Sequence, residues 1–373
     1  RHASKSLAGC NIHLIIREDG EIILNKPLPI VNLEAGKETE ISIAKYLPSF
    51  KAGSEYLADI HFTLAKDELW AKKGHEIASN QFALTGLAEH KKYKRNYANI
   101  IVKENSEAFE LHGKTFIAKF NKANGALVSY VIAGKEQIFQ ALLPDFTRPQ
   151  TDNDRRGWKP QRKMKEWYNV QLKVKEIKTE KSDKGVLVKT NYSLVGDSAN
   201  VTIQYLINPQ GIVKVTYHFS PKFKLPNLPK VGMQMGIRRE FEQITWFGRG
   251  PMENYTDKRQ GMDVGIYSQA IQEFMENYVV PQENGNRTDV RWMFLGNQQQ
   301  TGLLVVADSL LSMSAWPYTE ANIQNAKHTY RLQDAGYITL NIDLVQMGVG
   351  GNDSWSEVAA PLEQHQIPAK NYS

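Results

Sequence analysis

Residues 200–217 read NVTIQYLINPQGIVKVTY, and this stretch decides the fold class. Apolar and polar residues alternate on both sides of the NPQG sequence at 208–211. A period of two is typical of a strand that buries one face, and residues such as Asn, Pro and Gly favour turns. The stretch therefore predicts a β-hairpin with strands over 200–206 and 212–217.

The same alternation recurs along most of the chain. Helical periodicity is almost absent outside a short segment near Ser268–Met275, and no alternation of strands with helices suggests a (β/α)₈ barrel. Asn124-Gly125 favours a type I′ turn between two of the strands. The fold class is predicted to be all-β, with further strands over 12–16, 22–24, 41–43, 56–62, 115–120 and 126–131.

The chain of 373 residues is long enough for roughly two to three domains. Regularly spaced strands before residue 95 predict an immunoglobulin-like β-sandwich over 1–95. The basic run HKKYKR at 90–95 is polar and without period, so we expect an exposed linker there. Residues 96–373 are too many for a simple sandwich and predict a large assembly of two antiparallel sheets.

Composition narrows the possible partners. The formal net charge is +6, but outside the basic run at 90–95 the lysines alternate along strand-like segments such as 172–175, so we expect no nucleic-acid partner. No apolar run approaches the roughly 20 residues of a membrane span, so we expect no membrane partner. Cys10 is the only cysteine, which excludes an intrachain disulfide. The chain opens at Arg1, without Met, and we expect a piece of a longer protein whose compartment the sequence leaves open.

Histidines and acidic residues do not form a recognisable metal motif. None of the nine histidines has a partner at the H-x-x-x-H spacing of a helical zinc site. Asp152-Asn153-Asp154 lacks the Gly and Glu of a calcium loop, and two arginines follow it. We therefore expect a hydrogen-bonded turn at 152–154 and no metal site.

The most informative segment is MGVGGNDSW at 347–355, which follows a predicted strand over 338–345. Its glycines allow tight backbone conformations, so we expect Trp355 near the tip of a loop. The indole then either stacks on the face of a sugar or folds into the core, and the pattern leaves both open. The residues expected to support this loop are Gly350, Gly351, Asn352 and Asp353, the last two through side-chain hydrogen bonds to the backbone.

Four segments, at 144–154, 246–259, 281–285 and 347–355, resemble in this order the motifs of the C-terminal domain of bacterial β-galactosidases of glycoside hydrolase family 2. Residues 69–75 resemble the immunoglobulin-like domain that precedes it. The resemblance implies a sandwich up to about residue 95, followed by a galactose mutarotase-like supersandwich. One departure is Pro149-Gln150, where the family usually has Ala-Pro after the arginine.

The resemblance also implies a division of labour. In the family, the catalytic carboxylates and the magnesium and sodium ions belong to a barrel domain that precedes these modules. A loop tryptophan at the position of Trp355 reaches into that barrel and stacks on the galactoside. The chain is thus expected to hold no catalytic residue and no cofactor, and its expected partners are a β-galactoside and the barrel. Whether the parent forms a homo-oligomer is left open by the sequence.

Two other functions remain open from the residues alone. One is a free-standing carbohydrate-binding module. The other is an aldose epimerase, which needs a histidine and a carboxylate converging on the sugar ring. No histidine lies inside the four segments, which argues against the epimerase.

Overall fold

The computed structural model describes residues 6–88 and 99–373. The chain divides into two compact units, Arg1–Lys92 with Gln260–Ile266, and Tyr93–Arg259 with Tyr267–Ser373. The basic run at 90–95 lies outside the described residues. Both the linker and the domain boundary at residue 95 therefore stay predictions.

The first unit contains a four-stranded antiparallel sheet in the order β2-β1-β3-β4. Asp19 and Gly20 join the first two strands with φ angles of 50° and 89°, which are the left-handed conformations that tight hairpin turns need. The strands predicted over 12–16 and 22–24 are therefore confirmed, and these two residues join them in a hairpin. The strands are β1 (Cys10–Glu18), β2 (Glu21–Leu28), β3 (Tyr56–Leu64) and β4 (Glu76–Ala83).

One predicted strand of this unit is wrong. Residues 41–43 form no strand, and a short 3₁₀ helix, Ala44–Tyr46, follows them. Ile41 is exposed, whereas Ile43 packs against the core that Ile12, Leu14 and Ile16 begin. An alternation of only three residues can be accommodated outside a strand, because burying the single side chain of Ile43 against the sheet is sufficient.

Apart from residues 263–266, which belong to the first unit, the larger sheet lies in the second unit. Its twelve strands are in the order β17-β16-β18-β19-β20-β15-β10-β8-β7-β6-β5, with β9 paired to β8. The pairs that connect β16 to β5 along this order, and the pair of β9 with β8, are antiparallel. The strands are β5 (Ile101–Glu104), β6 (Ala108–His112), β7 (Phe116–Asn121), β8 (Leu127–Ile132), β9 (Lys135–Glu136), β10 (Ile138–Asp145), β15 (Lys230–Arg238), β16 (Gln243–Gly250), β17 (Asp263–Ala270), β18 (Arg287–Gly296), β19 (Gly302–Trp316) and β20 (Tyr337–Gln346).

The smaller sheet contains the hairpin predicted within residues 200–217. Ile207 pairs with Val213 across the turn, and burial alternates residue by residue along the first strand of the pair. The predicted hairpin is therefore confirmed. The strands, in sheet order, are β11 (Lys173–Ser182), β12 (Gly185–Leu194), β13 (Ala199–Ile207) and β14 (Val213–Pro221).

The two sheets of the second unit share one hydrophobic core. Phe120 from the larger sheet and Tyr205 from the smaller are both buried, with ring centroids 5.0 Å apart. Phe219 lies 5.9 Å from Phe146 and 5.7 Å from Trp167, again measured between ring centroids. The prediction of an all-β fold built from antiparallel sheets is confirmed.

Helices are short in both described parts of the chain. The helix predicted near Ser268–Met275 is present at Ile271–Phe274. Among the described residues no helix is both long and apolar enough to cross a membrane. The helices are a π-helix (Asn153–Trp158), α1 (Pro160–Lys163), α2 (Lys165–Tyr168), α3 (Ile271–Phe274) and α4 (Glu320–Asn325), with 3₁₀ turns at Leu7–Gly9, Ala44–Tyr46, Thr329–Arg331, Glu357–Ala359 and Glu363–His365.

Two predicted turns differ from the structure. Gly125 has a φ of 68°, but Asn124 is not left-handed, and the Asn121 side chain accepts hydrogen bonds from the N–H groups of Ala123 and Asn124. The connection is therefore wider than a type I′ turn. Residues 152–154 do not end in a simple turn either, since the backbone continues into the π-helix.

Candidate functional site

The strongest candidate site is the tryptophan loop, residues 347–356, which follows β20 in the second unit. It begins at the fully buried Met347 and carries the side chain of Trp355 outward. Trp355 is 75% exposed, so the alternative in which the indole fills the core is wrong. The loop presents a large apolar ring to solvent from a base that is anchored in the core.

Arg148 anchors the start of the loop from below. Its guanidinium is buried and donates hydrogen bonds to the carbonyl oxygens of Met347 (2.7 Å) and Gly348 (2.8 Å). The same Nη2 lies 3.5 Å from Oδ2 of Asp154. Burial alone would lower the pKa of Arg148, but the charges of Asp154 and Glu283 outweigh it and raise the pKa. Arg148 therefore stays charged and holds two carbonyls of one turn.

Asp257 holds the other side of the same turn. Its Oδ1 accepts a hydrogen bond from the N–H of Val349 (3.1 Å), and its Oδ2 accepts one from Gly350 (2.7 Å). A Cβ at Gly348 would lie 2.3 Å from Oδ2 of Asp257. The glycine at 348 is therefore required by the close approach of this carboxylate.

Asp353 forms the turn that displays the indole. Its Oδ1 accepts hydrogen bonds from the N–H groups of Trp355 (3.1 Å) and Ser356 (3.0 Å), and Ser356 Oγ donates to its Oδ2 (2.6 Å). The hydrogen bonds from Ser356 hold the pKa of Asp353 below its usual value. Asn352 contributes its backbone, since its N–H donates to the carbonyl of Val358. Of the two supports expected from the sequence, Asp353 thus acts through its side chain.

The outer part of the loop packs closely on the following 3₁₀ turn. A Cβ at Gly351 would lie 2.3 Å from the backbone oxygen of Ala359. The side-chain amide of Asn153 donates to the carbonyl of Asp353 at 3.1 Å. Gly351 is therefore needed for backbone contact, and the π-helix supports the loop from the side.

The third sequence segment, 281–285, joins the same assembly. Glu283 is buried, and its Oε1 accepts a hydrogen bond from the hydroxyl of Tyr255 at 3.2 Å. Burial raises the pKa of Glu283 to about 7, against the opposing charge of Arg148. Gln282 accepts a hydrogen bond from the N–H of Asp152 at 3.1 Å. All four segments that carry the family resemblance are thus linked around the base of the tryptophan loop.

A buried charged group, which we call the Lys230 cluster (Lys230, Asp145, Glu320 and Asp343), lies beneath the first segment. Lys230 Nζ lies 2.8 Å from Oδ2 of Asp145 and 3.4 Å from Oδ1 of Asp343. Burial raises the pKa values of Asp343 and Glu320 to about 7 each, with further contributions from the other charges of the cluster. The ammonium of Lys230 therefore provides the positive charge of the cluster. Its ion pair with Asp145 holds the end of β10, where the first segment begins.

Sequence reasoning found the loop but missed its two anchors. Arg148 and Asp257 stand in segments that were recognised, yet neither was named as a support. The available signal was weak, because each segment contains several charged side chains and nothing local singles out Arg148 or Asp257 among them. A charge in that setting needs a partner, but the sequence does not say that the partner is the backbone of a loop far along the chain.

The fold and the loop define a class, namely an all-β chain with a large antiparallel domain that presents an exposed tryptophan on a glycine-rich turn. A family model described as "Beta galactosidase small chain" matches residues 112–373, and one described as "Beta-galactosidase, domain 4" matches residues 1–85. The first match covers well over half of the chain. The chain belongs to the β-galactosidase small-chain family, and the resemblance seen in the four segments is confirmed.

Curated relatives agree with this assignment. A β-galactosidase from Priestia megaterium is 28% identical over 364 residues, which is 97% of this chain and 35% of the relative. A β-galactosidase from Halalkalibacterium halodurans is 33% identical over 321 residues, 84% of this chain and 31% of the relative. One from Lactobacillus delbrueckii subsp. bulgaricus is 33% identical over 304 residues, 80% and 29%. The chain therefore spans about a third of the length of these relatives.

Proposed function

We propose that this chain is the non-catalytic C-terminal portion of a β-galactosidase and that Trp355 supplies a stacking face to the galactose pocket of a catalytic barrel. The observation that carries the proposal is the exposed indole of Trp355 on a turn anchored by Arg148 and Asp257. The matches to β-galactosidases, each along about a third of the relative, support the same division.

The shape of the loop suits a binding role better than a purely structural one. An indole that stabilised the fold would bury its apolar area, which is where its contribution to stability arises. Trp355 leaves that area in solvent, while the backbone beneath it is held by charged hydrogen bonds. A sugar offers a flat patch of C–H groups to such a ring. A rigid support reduces the entropy lost when the ring is covered.

The proposal assigns the chemistry to the barrel. A retaining glycosidase uses two carboxyl groups about 5–5.5 Å apart, one as acid/base and one as nucleophile. In this proposal both groups, with the magnesium and sodium ions implied by the family, belong to the barrel. The chain contributes substrate affinity and the exclusion of water. Residues 1–373 alone are then expected not to hydrolyse a nitrophenyl β-galactoside.

The test is a chimeric enzyme in which residues 1–373 follow the upstream domains of a β-galactosidase relative. Trp355→Ala in an active chimera should raise KM by about 5- to 150-fold, which corresponds to about 1–3 kcal/mol of lost stacking. The matched control is Trp70→Ala, since Trp70 is also exposed, at 59%, but lies outside the loop. Equal KM values for Trp355→Ala and the unmodified chimera would refute the role of Trp355.

The exposed ring of Trp355 is also compatible with a second function, that of a free-standing carbohydrate-binding module. A stacking platform needs no barrel if other loop atoms complete the sugar contacts. Titration of the isolated chain with galactose, followed by NMR shifts of the Trp355 indole N–H, separates the two functions. Saturable millimolar binding would favour the independent module, and its absence together with KM control in the chimera would favour the barrel partner.

A further inference from the structure

A second constellation of functional groups lies in the first unit, away from the tryptophan loop along the sequence. Asp59 and His61 occupy alternate positions of β3, so both side chains point to the same face of the sheet. Ile60 between them packs on the opposite face, in the core of the unit. Asp263 belongs to the segment Gln260–Ile266 of the same unit. One ligand atom from each of Asp59, His61 and Asp263 lies within 4.8 Å of the other two.

The segment that carries Asp263 is fixed by a side chain of the sheet. Gln81 on β4 donates from Nε2 to the carbonyl of Val264 and accepts from the N–H of Val264, both at 2.8 Å. The amide of Gln81 therefore pairs with this backbone as a neighbouring strand would. Gln81 is also the register partner of Asp59. The same contact thus places Asp263 over Asp59 and His61.

The imidazole of His61 is oriented by a carboxylate. Its Nδ1 lies 2.6 Å from Oε2 of Glu76. Its Nε2 is buried and has no hydrogen-bond partner among the residues that the structure describes. A histidine that ligates a metal usually gives its other ring nitrogen to a carboxylate or carbonyl, which fixes the tautomer and makes the ligating nitrogen more basic. His61 has this arrangement on one side and an unused nitrogen on the other.

Asp59 is held in a fixed orientation without exhausting its acceptor capacity. Its side chain is fully buried, Oδ2 accepts from Nε of Arg17 at 2.7 Å, and Oδ1 accepts from Nε2 of Gln81 at 2.8 Å. A carboxylate offers about four lone-pair sites. The hydrogen bonds from Arg17 and Gln81 therefore leave two of these sites unused, and one carboxylate oxygen of Asp59 lies within 4.8 Å of the ligand atoms of His61 and Asp263.

We propose that Asp59, His61 and Asp263 form a binding site for a divalent cation of the zinc type, with water completing the coordination. One imidazole nitrogen and two carboxylate oxygens suit zinc, whereas calcium and magnesium prefer oxygen ligands alone. Zinc bonds of about 2.0–2.1 Å in a tetrahedron place ligands roughly 3.4 Å apart. The ligand atoms now lie within 4.8 Å of one another, so side-chain rotations that move them by about an ångström would bring them to this spacing.

This inference departs from the expectation that the chain holds no metal. That expectation rested on the H-x-x-x-H spacing of a helix, whereas these ligands come from alternate positions of a strand and from a segment far along the chain. A cation here would tie Gln260–Ile266 to the face of the sheet, in addition to the two hydrogen bonds between Gln81 and Val264. The proposal concerns the first unit alone and does not depend on the function proposed for Trp355.

The experiment titrates residues 1–373, stripped of metal by a chelator, with zinc chloride in competition with a chromophoric chelator. We expect one saturable equivalent of zinc per chain. His61→Ala and Asp263→Asn should each weaken this binding by at least about 10-fold. Glu76→Gln should weaken it by about 10- to 100-fold, because it removes the carboxylate that orients the imidazole of His61. Zinc should also slow amide hydrogen exchange within 260–266, because the bound form ties that segment down.

His112→Ala is the matched control. Nε2 of His112 lies 3.2 Å from Oε2 of Glu110 on the same kind of strand, but His112 is outside the three-residue group. Its removal should leave zinc binding unchanged. The proposal is overturned if no saturable binding occurs, if His61→Ala binds as the wild type does, or if Asp263→Asn does so while folded by circular dichroism. Displacement of zinc by equimolar magnesium or calcium would also overturn it, since the nitrogen ligand would then be idle.

Discussion

Replacing Arg148 by lysine should weaken the second unit while keeping the positive charge. The guanidinium of Arg148 reaches two carbonyl oxygens at once, those of Met347 and Gly348, at 2.7 and 2.8 Å. A lysine carries a single nitrogen on a different stem, and it cannot reproduce the planar fork that spans both acceptors. One of the two buried carbonyls should therefore lose its donor.

The magnitude follows from these contacts. A hydrogen bond to a charged group contributes about 1.5–3 kcal/mol, so Arg148→Lys should lower the free energy of unfolding by about that amount. Arg148→Met removes both hydrogen bonds and leaves the buried Asp154 without its cation. Breaking a buried ion pair in this way costs about 3–5 kcal/mol. The methionine variant should therefore be the less stable of the two.

The measurement is urea unfolding followed by circular dichroism, with the midpoint and slope compared between variants. Arg156→Lys is the control, because Arg156 is exposed on the neighbouring π-helix, and it should change stability by less than about 0.5 kcal/mol. If Arg148→Lys unfolds at the same urea concentration as the wild type, the two carbonyl contacts do not stabilise the loop, and the account of its anchoring is refuted.

Three further predictions follow from the structure. The carboxyls of the Lys230 cluster with raised pKa values, about 7 when folded, bind protons more tightly in the folded chain. Their contribution to stability is therefore complete below about pH 4 and is lost as pH rises to about 7, by up to about 1.4 kcal/mol per proton and pH unit. Urea midpoints should fall from pH 5 to pH 8, and Glu320→Gln should flatten this dependence. Gly351→Ala should destabilise the chain by about 1–3 kcal/mol through overpacking. Gly350→Ala should be less destabilising, because its Cβ would meet only the side chain of Asp257, at 3.2 Å. Equal thermal melting points for the two variants would contradict this difference. Trypsin should cut first near 91–95, because exposed linkers are the preferred sites of proteolysis. Early cleavage inside 200–217 on a time-resolved gel would contradict a linker at 90–95.

The strands could be predicted from the sequence because their signal is local. In β13 every second residue from Ala199 to Ile207 is apolar and buried, and the residues between them, including Leu206, are half-buried. The failures arose where local signals were short or had two solutions. Residues 41–43 alternate for only three positions, and Ile43 buries itself without a strand partner. Asn124-Gly125 favours a tight turn, but hydrogen bonds to the side chain of Asn121 stabilise a wider one.

The candidate sites could be predicted only in part, for a related reason. Glycines followed by Asn, Asp and Ser indicate an irregular turn, so the position of Trp355 on a loop was accessible. The partners of that turn, Arg148 and Asp257, come from distant loops, and nothing in their own neighbourhoods specifies which backbone they meet. The group of Asp59, His61 and Asp263 is hidden for the same reason, because one of its members arrives from another part of the chain.

The chemistry of the two anchors explains how a glycine-rich turn can hold a tryptophan steadily. Glycines allow the close approach of the backbone, but they also make the unfolded turn more flexible and so more costly to order. Arg148 satisfies carbonyls on one side of residue 348, and Asp257 satisfies N–H groups on the other side. The positive charge of Arg148 thus meets the negative ends of the backbone dipoles, and the negative charge of Asp257 meets the positive ends. Replacing either residue by one of opposite charge would bring like charges together. If Trp355 stacks on a galactoside as proposed, this arrangement spends the ordering entropy during folding, so that little remains to be lost on binding.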